Sequence, residues 1–270
     1  MADSAISEVP VPVGAATLFV RRISPDSKSS QAIRPTVVFL HDSLGCVETW
    51  RDFPEVLAER AGSDALVYDR QGYGRSSPFG PTPRTLRYLE DEAHVLRAVL
   101  DRREISSAIL FGHSDGGSIA LIAAALYPHR ITAVITDGAH VFVEDVTLRG
   151  IHAAHESLGT TDLAERLARY HGDKVPALTS AWIDTWLAPE FRSWNIERYL
   201  PDIRCPVLVI QGEQDEFGTR AQVDAIVKGV GSSARPLMIP GVGHTPHREA
   251  RDVVLDTAAA FISRAMKADR

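Results

Sequence analysis

The chain has 270 residues, 44% hydrophobic and 24% charged, the make-up of one ordinary globular domain long enough to bury a large core. A net charge of −6 without a Lys/Arg stripe argues against a nucleic-acid surface. The amino terminus has no basic or apolar signal region, no apolar run reaches membrane length, and Cys46 and Cys205 have neither metal-site nor bridge context, so a cytoplasmic protein with free thiols, no membrane and no metal is expected.

In chain order, 11–13 and 17–23 read as a hairpin turned at Gly14, followed by the low-complexity polar loop Ser24 to Ser30. Further strands fall near 36–41, 64–69, 107–112, 131–137, 206–211 and 234–240. Helical patterns lie near 47–61, 84–103, 115–127, 219–230 and 247–266. Strands alternating with helices predict an α/β fold, with a mostly parallel eight-stranded sheet covered on both faces. Residues 140–203 break the alternation. Segments 148–158, 161–170, 176–186 and 194–200 read as helices without a strand, and three of the four tryptophans, Trp182, Trp186 and Trp194, lie there.

The most informative stretch is Gly112-His113-Ser114-Asp115-Gly116. An apolar run, Ala108 to Phe111, precedes it and good helix formers from Ser118 to Ala125 follow, the strand–turn–helix setting of a G-x-S-x-G nucleophile elbow. So sharp a turn strains the serine backbone and leaves no room for a Cβ two residues to either side. The turn lifts the Ser114 hydroxyl off the sheet and aims helix N-terminal N–H groups at an oxyanion.

A serine hydroxyl needs a base, and the base needs an orienting acid. Val207 to Ile210 is a buried-strand pattern that runs into Gln211-Gly212-Glu213-Gln214-Asp215-Glu216. The strand pattern 236–240 runs into Gly241-Val242-Gly243-His244. Both place a catalytic residue type past the carboxyl end of a strand, where open α/β sheets bind ligands.

The order Ser114, Asp215, His244 resembles that of the α/β-hydrolase family, and the resemblance extends over nearly the whole chain. Val37-Val38-Phe39-Leu40-His41-Asp42-Ser43-Leu44-Gly45 is similar to its oxyanion strand and loop. Leu66 to Ser76 resembles its D-x-R-G-x-G-x-S segment, with Gln71 where arginine is usual; that segment is structural in the family, turn glycines around a buried Asp. The resemblance implies a core domain from 1–139 and 204–270, with 140–203 as a helical cap inserted after the sixth strand. It implies no cofactor, and it implies backbone N–H groups of Ser43 and Asp115 as the oxyanion hole. His41 would hold the loop by hydrogen bonds.

An aromatic cap over a catalytic turn implies an enclosed apolar pocket, with Asp42, His140, Phe142, Trp182 and Trp186 as its expected lining. Asp42 stands where the family usually has glycine; its carboxylate either faces the pocket, disfavouring anionic substrates, or points to solvent. Asp137, ending the sixth strand, is an alternative acid or a turn-binding residue, and His247 reads as a helix cap. A small-molecule substrate is expected; the oligomeric state is not readable. Three functions remain open: a carboxylic-ester hydrolase; a triad enzyme with other chemistry, such as carbon–carbon hydrolysis, lactone opening, perhydrolysis or acyl transfer; and a non-catalytic ligand-binding protein. Dehalogenase and epoxide hydrolase chemistry needs an aspartate where Ser114 stands.

Overall fold

The computed structural model describes residues 4–25, 35–81 and 84–268; the expected polar loop lies, from 26 to 30, outside the described residues. Eight strands form one sheet in the order β1-β2-β4-β3-β5-β6-β7-β8. They are β1 Ala5–Val13, β2 Ala16–Ser24, β3 Thr36–Leu40, β4 Asp64–Tyr68, β5 Ala108–His113, β6 Ile131–Asp137, β7 Val207–Gly212 and β8 Ala234–Ile239. β1 and β2 form the hairpin turned at Gly14, where φ is +58°, and β2 runs antiparallel to β4. Every other pairing is parallel. Pro10 and Pro12 sit on β1, the edge strand, where a missing N–H costs no ladder bond.

Alternation along the strands splits the core in two. Val38, Leu40, Leu66, Leu110, Val134 and Val209 face one side, against α2 Tyr88–Arg102, α3 Asp115–Leu126 and the cap. Val37, Phe39, Val67, Phe111, Ile135 and Ile210 face the other, against α1 Phe53–Ala61 and a long carboxyl-terminal helix. Phe111, directly before the elbow, packs on Phe39, Trp50 and Phe53 with ring centroids 5.5, 5.7 and 5.3 Å away. Such pairs contribute about 0.5–1.5 kcal/mol each beyond their burial, so the strand that presents Ser114 is firmly seated.

Between β6 and β7 the chain builds the cap from α4 Asp145–Thr160, α5 Leu163–His171 and α6 Val175–Leu187. Two 3₁₀ segments follow, Pro189–Ser193 and Glu197–Asp202; the helix expected over 194–200 is therefore displaced and tightened, consistent with Pro201 inside it. One isolated bridge, Phe142 to Asn195, ties the two ends of the cap together. After β7 come α7 Arg220–Val230, α8 Pro246–Glu249 and α9 Arg251–Ala268. The helix expected over 247–266 is thus broken at Ala250.

Since β3 lies between β4 and β5, the connections out of β3 and β5 leave in opposite directions. The crevice at their carboxyl ends is the switch point where such sheets bind ligands. The loop after β3 carries Asp42 and Ser43, and the turn after β5 carries Ser114.

Candidate active site

Ser114 has φ 54° and ψ −119°, a conformation that costs a non-glycine residue about 1–3 kcal/mol. Glycines permit the close approach around it. A Cβ on Gly112 would lie 2.1 Å from the Gly116 carbonyl oxygen, and one on Gly116 would lie 2.0 Å from that of Leu40.

The Ser114 Oγ is 3.0 Å from His244 Nε2, and His244 Nδ1 is 2.9 and 3.0 Å from the two Asp215 oxygens. Asp215 Oδ1 also accepts the Phe217 and Gly218 amides at 2.8 and 3.2 Å. Burial pushes the Asp215 carboxyl up, but the hydrogen bond and charge of His244 outweigh it and hold the group below its ordinary value. The His244 loop is fixed by two carboxylates: Glu216 accepts the His244 amide and Glu249 accepts that of Gly243, at 3.2 and 2.8 Å.

Ser43 and Asp115 both border the site. Among the described residues, neither amide donates a hydrogen bond, so both N–H groups remain available to an acceptor beside Ser114. His41 holds the loop, with Nδ1 2.7 Å from the Asp42 carbonyl and Nε2 accepting the Arg70 amide at 3.1 Å. Burial keeps its pKa well below the ordinary value, so it stays neutral. Arg70, fully buried, donates to the Asp42 carbonyl at 2.9 Å and lies 3.7 Å from Asp115 Oδ2. Asp69 plays the structural role expected of it, accepting the Val47 and Arg75 amides at 2.6 and 2.7 Å.

A cavity of about 190 Å³ opens over Ser114. Asp42, His140, Trp182 and Trp186 line it, joined by Thr147 and Ile151 of α4 and by Phe217. Phe142 does not belong to this lining: its backbone is engaged by the bridge to Asn195 and by Gln222, and its ring packs on the core. Asp42 faces inward, with Oδ1 3.7 Å from His113 Nδ1.

Asp137 turns to the opposite side of the sheet. Its Oδ2 accepts from His247 Nδ1 at 2.6 Å, both side chains being buried. His247 therefore pairs with Asp137 instead of capping a helix through its side chain, and Asp137 does not reach His244. His113, Asp137 and His247 place one polar atom each within 4.8 Å, the one such group among the described residues, and two of the three are hydrogen-bonded to each other.

Three connections escaped the sequence reading. Trp186 Nε1 donates to the Tyr88 hydroxyl at 2.8 Å, and that hydroxyl donates to Asp115 Oδ2 at 3.1 Å. From α5, buried His171 accepts the Gly74 amide and donates to the Leu44 carbonyl, at 2.9 and 3.0 Å. His113 Nε2 lies 2.9 Å from the His244 carbonyl oxygen. In sequence these residues are a helix tyrosine, a cap histidine and the variable position of the elbow; their partners lie 27 to 131 residues away.

A strained serine on a strand–helix turn, a histidine and a carboxylate on neighbouring strand ends, and a helical cap above them define an α/β hydrolase. The chain belongs to the alpha/beta hydrolase family, whose model matches residues 37–257. It is 31% identical over 208 residues to the serine hydrolase BPHL of Homo sapiens, across 73% of this chain and 68% of that protein. It is 26% identical over 204 residues to the 2-hydroxy-6-oxo-2,4-heptadienoate hydrolase of Pseudomonas putida, across 66% of this chain and 71% of that one. Among solved structures, the enol-lactonase from Burkholderia xenovorans LB400 superposes with a TM-score of 0.72 at 22% identity, covering 94% of this chain and all of the other; that likeness bears on the fold alone. No helix among the described residues is long and apolar enough to cross a membrane.

Proposed function

We propose that the protein is a serine hydrolase that cleaves a small or medium, largely apolar carboxylic ester through an acyl-enzyme on Ser114. The observation that supports this best is the unbroken run from Ser114 Oγ through His244 to Asp215 beneath an aromatic cavity. His244 Nε2 takes the Ser114 proton as Oγ attacks the ester carbonyl carbon, and the carbonyl oxygen gains the negative charge. The amides of Ser43 and Asp115 receive that oxyanion. Collapse breaks the bond to the alkoxy group, which leaves as the alcohol with the proton from His244. A water then gives its proton to Nε2 and attacks the acyl carbon. The second collapse frees the acid and returns the proton to Ser114.

The charge of the pocket favours this reading over hydrolysis of carboxylate-bearing diketones. Asp42 and Glu216 bring carboxylates to the cavity lining, that of Asp115 being held beside buried Arg70; no Lys or Arg lies in the described lining, and Arg149 is exposed outside it. Like charges several ångströms apart repel even at an effective dielectric near 20. A neutral ester is thus expected to be cleaved with kcat/KM at least about tenfold above that of its anionic half-ester counterpart of equal size. Matched steady-state kinetics check this, and efficient turnover of the anionic member would favour the carbon–carbon reading.

The direct test is covalent labelling with a fluorophosphonate, which only an activated serine attacks readily. Wild-type protein should be labelled on Ser114, Ser114→Ala not at all, and His244→Ala far more slowly. Equal labelling of wild type and Ser114→Ala would leave a ligand-binding protein as the better reading.

A further inference from the structure

His113 occupies the variable position of the elbow, yet it is 3% exposed and lies between the two loops the reaction depends on. Its Nε2 is 2.9 Å from the His244 backbone carbonyl. A carbonyl oxygen only accepts, so Nε2 must carry a proton. Its Nδ1 faces Asp42 Oδ1 at 3.7 Å. In a neutral ring protonated on Nε2, the Nδ1 lone pair would point at that carboxylate, a repulsive arrangement. The imidazolium alone satisfies both neighbours.

We propose that His113 is held as an imidazolium that clamps the catalytic-histidine loop to the oxyanion loop, with Asp42 as its counter-ion. His113 is then a positioning residue: it borders the cavity but makes no hydrogen bond to Ser114 Oγ, and it acts through the His244 backbone and the 42–44 turn. Asp42 shapes that turn as well, because its Oδ2 accepts the Leu44 amide at 3.2 Å. The pair thereby also moderates the negative charge that Asp42 brings to the cavity.

The surrounding groups agree. Facing His113 are Asp42 from the loop after β3, Asp137 from the end of β6, the His244 ring 5.2 Å away and the His247 ring 4.7 Å away on α8; Arg248 of α8 acts on Asp42. Burial opposes charge on His113, but Asp42, helped by Asp137 and the His244 carbonyl, outweighs it and raises the group above its ordinary value. Burial lowers His247, despite Asp137 beside it, so it is neutral near pH 7 and adds no second positive charge. The clamp therefore persists to higher pH than an ordinary histidine would allow and weakens as pH rises through the raised pKa of His113.

The protonation claim is independent of the catalytic reading, whereas the effect on rate rests on it. Nitrogen-15 spectra of the histidine rings in the full-length protein should give His113 two protonated nitrogens at pH 7.5. Asp42→Asn should lower its titration by about one to two pH units, as expected for loss of an opposite charge this close. A single protonated nitrogen at pH 7.5, or a titration unmoved by Asp42→Asn, overturns the proposal. For function, His113→Gln keeps an N–H for the His244 carbonyl but no charge, and His113→Leu keeps neither. We expect kcat to fall about tenfold and about a hundredfold respectively, with KM nearly constant, since loops displaced by an ångström cost rates of that order. The alkaline fall in kcat that accompanies His113 deprotonation should vanish in His113→Gln. Wild-type kcat in both variants overturns the clamp. Absence of fluorophosphonate labelling in the wild type would instead sink the serine-hydrolase reading, leaving the ring spectra decisive for His113.

Discussion

Asp215→Asn is expected to lower kcat by about 10⁴-fold while leaving the fold intact, the scale of a wrong-tautomer histidine in serine proteases. Local hydrogen bonding explains the size. Asp215 Oδ1 accepts two amides, from Phe217 and Gly218, so the asparagine oxygen must stay there and its NH₂ must turn toward His244 Nδ1. An N–H donor at that position forces the proton onto Nε2, the atom that has to accept from Ser114. Asp137→Asn, whose side chain reaches His247 and not His244, should change kcat by less than about tenfold and act mainly on stability. Steady-state kinetics of the two variants, with thermal melts as control, decide the point. The reverse ranking would transfer the acid role to Asp137.

The second large effect concerns the elbow backbone. In Gly112→Ala the new Cβ would sit 2.1 Å from the Gly116 carbonyl oxygen and 2.6 Å from the Gly117 nitrogen. Both are backbone atoms, so no side chain can swing aside. We expect a loss of about 3 kcal/mol or more, the upper end for overpacked sites, hence a Tm about 6–12 °C lower and negligible activity in what remains folded. Gly159→Ala provides the contrast. Nothing lies within 4 Å of that Cβ, at the end of α4, and the change should be neutral or stabilise by up to about 1 kcal/mol. Circular-dichroism melts of the pair test the idea; a Gly112→Ala protein that melts with the wild type refutes it.

Sequence reasoning reached the elbow because its chemistry is local: strand, glycines, serine and helix occur within about twenty residues. It reached Asp215 and His244 because both follow short apolar runs that read as strands, β7 buried along its length and β8 only at its end. It did not reach Tyr88, His171 or His113, whose roles come from partners brought together by the sheet and the cap. Phe142 was misplaced for a related reason. An aromatic residue at the start of a cap has two faces to choose from, and the bridge to Asn195 turned this one away from the cavity. His247 was read as a cap from its position before a helix, a local cue overridden by the buried Asp137 carboxylate.

Insertions such as the α4–α6 segment invite treatment as interchangeable cassettes that retune selectivity and leave the chemistry alone. Here the joint is not so clean. Trp186 reaches through Tyr88 to the side chain of Asp115, and His171 holds both the Gly74 turn and the Leu44 carbonyl. A segment transplanted from a relative that lacks these two side chains would leave acceptors and donors in the host unpaired. Exchange should therefore slow the host as well as redirect it, unless Tyr88 and the 41–45 loop travel with the graft.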